Sequence, residues 1–258
     1  LEQESSAAAN NLAAAIGSTE EHTKRAELLY NCGARILCVD VAHGHHSLME
    51  RSIKSLKDKF GDKVTLIAGN IATPSAYHDL SSWGADAVRV GIGGGSICST
   101  RIQTGHGVPT FQSVLDCASM DGAAIIADGG IKTPGDAVKA LAAGADAVML
   151  GSMLAGTDES PGDILSTTED KKYKVYRGMA SVEAQVAWRG QARSLEGIST
   201  TITYKGSVKD TLKKLEQNIK SGLSYSGART IGELQAKAQF IQQTAAGQVE
   251  SSTHILKK

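Results

Sequence analysis

The sequence predicts an α/β fold in which parallel strands alternate with helices, the arrangement of a (β/α)8 TIM barrel. Three observations carry that prediction. Short apolar runs recur at 12–16, 36–40, 64–68, 87–90, 123–127 and 147–150, with stretches of helical spacing between them. Each run ends in a polar or glycine-bearing tip, and in a barrel such tips line the C-terminal face where sites are built. The pentapeptide GADAV occurs twice, at 84–88 and 144–148, both times between a helix and a strand. Runs this apolar read as strands buried on both faces of a parallel sheet.

Residues 4–10 are small and polar and read as an exposed connector. The run 12–16 ends at Gly17, after which Ser18 and Glu21 form a capping-box pattern ahead of a helix carrying Ala26, Leu28 and Leu29. The second run ends in Asp40. The helix after it carries Leu48, Met49, Ile53, Leu56 and Phe60 on one stripe. The third run leads to Gly69-Asn70, and a helix over 75–83 leads on to Ala87–Val90. A helix near 111–118 precedes the run ending in Asp128-Gly129-Gly130, and Pro134 suits the first turn of the next helix. The sixth run ends in Gly151-Ser152.

Beyond Gly151 the pattern changes. Residues 155–162 read as a loop and 171–181 as a strand-like run into a glycine. Periodicity is poor over 182–205, apart from alternation at Thr200–Tyr204, so this stretch reads as a mobile flap rather than a domain. Val208, Leu212, Leu215, Ile219 and Leu223 mark an amphipathic helix, 230–238 a further one, and 242–258 a loose polar tail. Six strands are two short of a closed barrel. The chain therefore reads as one barrel domain over 1–258 that is two βα units short, or as an incomplete barrel.

Composition narrows the class. With 27 basic and 27 acidic residues the formal charge is zero, so bulk electrostatics call for neither nucleic acid nor an anionic membrane. No apolar run reaches membrane-spanning length and the start shows no signal-peptide pattern. Cys32, Cys38, Cys98 and Cys117 form no CxxC pair, which fits a reduced, cytoplasmic setting.

The stretch 89–109, RVGIGGGSICSTRIQTGHGVP, carries the chemistry. Gly93, Gly94 and Gly95 free the backbone for close approach to a ligand. Cys98 follows among the hydroxyls of Ser96, Ser99 and Thr100 and the cation of Arg101, groups that favour a thiolate. On residues alone, Cys98 fits a buried structural thiol as well as a nucleophile. Asp40 fits a ribose contact or a turn cap, and the tips Asp128-Gly129-Gly130 and Gly151-Ser152 fit a phosphate site or ordinary turns. His43, His45 and His46 have no further ligand cluster in the sequence, so a solvated or substrate-side loop is the better reading than a metal site.

GGGSICSTR followed by TGHGVP resembles the catalytic-cysteine loop of the IMP dehydrogenase/GMP reductase family. The resemblance implies a nucleotide site in which Ser96, Gly130, Gly151, Ser152 and Tyr176 hold the 5′-phosphate. Asp128, beside Gly129, would bind the ribose hydroxyls, and Gly178, Met179 and Ala180 would read the purine edge. Family members often have glycine or serine at the place of Ala180. It further implies Asp40, Asn70, Arg89 and Gly91 on the dinucleotide side, and a potassium-type cation on the carbonyls of Gly93, Gly95 and Cys98. Cys98 would attack purine carbon 2, with Thr100 and Glu196 forming a proton relay. On residues alone, Glu196 is equally a surface charge. A homotetramer is the family expectation, and the resemblance implies that the two missing βα units are the first two.

The resemblance leaves two directions. A dehydrogenase oxidises IMP with NAD and hydrolyses the covalent intermediate. A reductase expels ammonia from GMP and takes hydride from NADPH. Dehydrogenases of the family carry an Arg-Tyr pair in a long flap. Here Arg189 and Arg193 are followed by Gly190 and Ser194, the flap is short, and Tyr225 lies in SGLSYSGA, all reductase-like. AHGH at 42–45, GNIAT at 69–73, AGTDESPG, VYRGM and EGISTTITYKG are dehydrogenase-like. The missing pair removes chemistry, so the reading adopted is GMP reductase, with IMP dehydrogenase as the alternative. A non-catalytic nucleotide sensor is a third class, and intact Cys98, Thr100 and Glu196 argue against it.

Overall fold

The computed structural model describes residues 11–19, 21–167, 171–192 and 197–253. Six parallel strands form one sheet in sequence order: β1 (Ala13–Ile16), β2 (Ile36–Asp40), β3 (Thr65–Ile71), β4 (Ala87–Val90), β5 (Ala124–Asp128) and β6 (Ala147–Met149). Helices α1 (His22–Asn31), α2 (Ser47–Phe60), α3 (Pro74–Trp83), α4 (Thr100–Thr104), α5 (Thr110–Cys117) and α6 (Pro134–Ala142) fall between them. This is the successive βα winding of a TIM barrel, present as an arc of six strands.

Register divides the sheet into two unlike faces. Ile16, Val39, Ala68, Val88 and Ile125 lie in one row across five strands, all buried, and pack under the helices. Helix α2 adds Met49, Ile53, Leu56 and Phe60 to this core. Burying each such side chain contributes roughly 1.5–3 kcal/mol. The adjacent row, Asp40, Gly69, Arg89 and Ile126, points the other way, and Arg89 and Ile126 there are only half-buried. The expectation of strands buried on both faces therefore holds fully for one face and in part for the other, where Cys38, Gly69 and Ala87 are buried and Asp40 is exposed.

The GADAV repeat has a structural cause. Gly84 and Gly144 take left-handed φ values of 110° and 112°, which turns the chain out of α3 and α6. The aspartate two residues on then reaches sideways. Asp86 accepts from Leu66 N–H at 2.6 Å and Asp146 from Ile125 N–H at 2.7 Å, tying each incoming strand to its neighbour.

After β6 a second, antiparallel sheet forms from β7 (Ile164–Ser166), β8 (Lys172–Arg177) and β9 (Ser199–Thr203). Between β8 and β9 lies α7 (Val182–Arg189), whose Ser181 cap accepts from Ala184 N–H. The stretch read as an aperiodic flap thus holds a two-turn helix and a strand. Its helix was hidden because the segment is short and, among its described side chains, buries only Ala184 and Gln185. Helix α8 (Val208–Tyr225) runs so close over α6 that a Cβ at Gly222 would stand 2.7 Å from Val138. Helices α9 (Ile231–Lys237) and α10 (Ala245–Glu250) follow, the latter inside the stretch read as a loose tail. The Ser18–Glu21 capping box does not form, because α1 starts at His22 and Glu21 is itself the N-cap residue, making no side-chain bond. Among the described residues no helix is long and apolar enough to cross a membrane.

Candidate active site at the strand tips

Four side chains from four successive strands meet above the C-terminal edge of the sheet. Arg89 on β4 donates from Nη1 to Asp40 Oδ1 at 2.7 Å, and from Nη2 and Nε to Asp128 Oδ2 at 2.8 and 3.2 Å. Asn70 on β3 donates from Nδ2 to the same Asp128 oxygen and to Gly91 O, each at 2.7 Å. Gly69 makes this possible, since a Cβ there would lie 2.6 Å from Arg89 Cβ. Burial opposes the charge on Arg89, but the two carboxylates outweigh it, and the guanidinium pKa is raised above its ordinary value. The same burial lifts the Cys38 thiol, whose sulfur lies 3.6 Å from Arg89 Nη1. One oxygen of Asp128 is thus saturated. Its second accepts no side-chain hydrogen bond among the described residues, and Asn70 Oδ1 is buried without a partner among them.

The glycine-rich loop after β4 packs backbone against backbone. Gly91 has φ 148°, and a Cβ there would stand 1.9 Å from Asp128 O. A Cβ at Gly94 would lie 2.4 Å from Thr110 Oγ1, and one at Gly129 would lie 3.0 Å from Gly95 N. Side chains are therefore excluded where the loop crosses the Asp128-Gly129-Gly130 tip. Arg101 is threaded between Gly93 and Gly107 and donates to Val108 O at 2.7 Å, so this cation braces the loop.

Cys98 is half-buried, and its thiol lies 3.2 Å from Thr100 Oγ1, at the first residue of α4. Its N–H donates to Gly95 O at 3.1 Å, so one of the three carbonyls expected around a cation already closes a turn. Cys98 also forms an antiparallel bridge with Gly197, and Gly178 N–H donates to Ile198 O at 3.3 Å. The cysteine loop, the 178–181 turn and the entry to β9 therefore form one layer. Ser96 and Tyr176 share a hydroxyl–hydroxyl bond of 3.1 Å, and Tyr176 Oη would lie 3.6 Å from a Cβ at Gly151. Ser96, Gly151 and Tyr176 are thus brought together from three elements. Met179 stands exposed in the turn, and Ala180 O accepts from Gln185 Nε2 at 2.9 Å. Glu196 and Arg193 lie outside the described residues.

Two of the three histidines are engaged elsewhere. His45 pairs with Asp79 at 2.8 Å, and His46 caps α2 by accepting from Leu48 and Met49 N–H. Two lysines escaped the sequence reading. Lys174 on β8, only 4% exposed, donates to the carbonyls of Thr157, Asp158 and Ser160 at 2.9, 3.3 and 2.6 Å. Lys205 donates to Ser152 O at 2.7 Å and Met153 O at 3.2 Å. Lys174 lies inside a strand pattern, where a lysine reads as a solvated position, and Lys205 follows β9 on the surface, so only the fold reveals what they hold.

Residues 2–254 match the family model of the IMP dehydrogenase / GMP reductase domain. The chain belongs to this family. It is 47% identical over 256 residues to an inosine-5′-monophosphate dehydrogenase of Nitrosopumilus maritimus, covering 93% of this chain and 53% of that protein. It is 44% identical over 259 residues to a GMP reductase of Leishmania donovani, covering 95% and 52%. In structure it is similar to a GMP reductase C318A from Trypanosoma brucei in complex with guanosine 5′-monophosphate, with a TM-score of 0.88 and 42% identity over 94% of this chain and 52% of that one. The chain spans about half the length of these relatives. Both branches of the family are thus similar to it at nearly equal identity.

Proposed function

We propose that the chain carries the catalytic barrel of a GMP reductase, with residues 182–205 as its flap, converting GMP to IMP and ammonia with NADPH. The observation that carries the choice of branch is the flap sequence, in which no arginine is followed by tyrosine. Without that pair a covalent intermediate has no efficient activator of water, and hydride delivery becomes the productive exit. The likeness to a GMP-complexed reductase supports the same direction.

In this reading Ser96, Gly130, Gly151, Ser152 and Tyr176 hold the 5′-phosphate. The unengaged oxygen of Asp128 accepts from the ribose, and Gly178, Met179 and Ala180 meet the purine edge. Cys98 thiolate forms a bond to purine carbon 2, and the bond from that carbon to the exocyclic nitrogen breaks. Thr100, with Glu196, passes the proton that lets the nitrogen depart as ammonia. A reduced nicotinamide, when bound, would supply hydride to carbon 2, and Cys98 would regain its electron pair as the carbon–sulfur bond breaks. The partly exposed carboxylate of Asp40 and the unpartnered Asn70 Oδ1 suit the hydroxyl and amide donors of a dinucleotide, with Arg89 and Gly91 alongside. A monovalent cation on the carbonyls of Gly93, Gly95 and Cys98 and a homotetramer in the cytoplasm belong to the same reading.

The alternative is IMP dehydrogenation with NAD, favoured by the 47% identity to the Nitrosopumilus dehydrogenase. Ammonium and IMP measured after incubation with GMP and NADPH test the proposal. Both products are expected from the protein and neither from Cys98→Ala, which should still bind GMP. Undiminished product from Cys98→Ala would overturn the nucleophile.

A further inference from the structure

The loop after β6 is gripped from outside by the antiparallel sheet. Lys174 gathers three carbonyls of the 157–160 turn, and Lys205 takes the carbonyls of Ser152 and Met153. Gly206 O accepts from Asp158 N–H at 2.9 Å, Lys205 N–H donates to Gly156 O at 2.8 Å, and Tyr204 Oη donates to Asp158 at 2.5 Å. Residues 204–206 therefore fix the loop along its length.

Peptide geometry gives this grip a direction. In a trans peptide the C=O and N–H point opposite ways. An ammonium drawing Ser152 O to one side turns the Met153 N–H to the other. The N–H groups of Ser152 and Met153 donate to no protein acceptor among the described residues. Leu154 and Ala155 N–H, by contrast, both close onto Gly151 O at 3.0 Å. Free N–H groups held in place by a cation behind them form a concavity suited to an anion.

We infer that Lys205, backed by Lys174, is a positioning residue that aims the Met153 N–H, beside that of Ser152, at the nucleotide phosphate without touching it. This rests on the proposed phosphate role of the Gly151-Ser152 tip.

The test compares GMP with guanosine, which lacks the phosphate, by calorimetric binding to the protein and to Lys205→Met. Loss of charge-assisted bonds behind the tip should cut GMP affinity by about tenfold or more, while guanosine affinity stays within about twofold. A variant that merely loosened the fold would weaken both ligands together. Lys205→Gln keeps an N–H donor and provides a second reading should the methionine variant not fold, with an intermediate loss expected. A GMP-over-guanosine preference retained in full by either variant overturns the inference and leaves the function standing. No such preference in the unaltered protein overturns the phosphate role of the tip, and the inference with it.

Discussion

Arg89 and Asp40 stand two strands apart in the sheet and are nevertheless joined, Nη1 to Oδ1 at 2.7 Å, because Gly69 between them has no side chain. The same guanidinium holds Asp128 on the opposite side. In the proposed reaction Asp40 belongs to the dinucleotide and Asp128 to the mononucleotide, so one side chain couples the two halves of the site.

Arg89→Leu is expected to lower stability by about 3 kcal/mol, because it leaves Asp128, 18% exposed, and its neighbour Asp40 without a counter-charge. Urea unfolding checks the magnitude. Arg89→Lys should recover only part of the loss, since an ammonium cannot span two carboxylates as a planar fork does. Full recovery by lysine would mean that charge alone, not geometry, holds the pair.

Two glycines at positive φ differ in whether a side chain would also meet backbone. Gly105→Ala, with φ 72° and open space around it, should cost about 1–2 kcal/mol. Gly91→Ala drives a methyl to 1.9 Å from Asp128 O and should cost on the order of 3 kcal/mol or more, displacing the cysteine loop. Thermal midpoints measured side by side decide this. Equal losses would mean that the crossing of loop and tip is not tight.

Much of the fold was legible because parallel strands and their tips follow from local chemistry. The six apolar runs, Pro134 at a first turn and the GADAV breaks each state a local rule that the sheet obeys. The antiparallel sheet was only half visible. Lys174 interrupts the strand pattern of 172–177 with a charge, and the three carbonyls that satisfy it come from a loop 14 to 17 residues earlier. At the site, Cys98, Asp128 and the glycines were found from motif, whereas the union of Asp40, Asn70, Arg89 and Asp128 was not. Its members are 30, 19 and 39 residues apart in turn, and only parallel register aligns them. The division of these residues between a cofactor side and a substrate side came from resemblance, and the hydrogen bonds make them one network.

Acid should loosen α2. His46 caps it through a ring nitrogen that accepts from Leu48 and Met49, a role open only to the neutral ring. Burial, and then the neighbouring His43 and His45, lower its pKa from 6.5. A pKa depressed by folding means the stabilisation is whole above the unfolded value and is lost as pH falls through the folded one. His46→Asn, a good cap without a titrating proton, should match the parent within about 1 kcal/mol near neutrality and abolish the part of the acid-dependent loss that begins below about pH 6.5. Urea midpoints across this range that fall equally in both proteins would remove His46 as the cause.

The most direct test of the central claim is the near-ultraviolet absorbance of reduced nicotinamide, followed with GMP plus NADPH in one mixture and IMP plus NAD in another. The proposed function predicts falling absorbance in the first, with ammonium and IMP accumulating in step. Rising absorbance in the second alone would contradict it and assign the chain to the dehydrogenase branch, and no change in either with GMP still binding would leave a nucleotide sensor.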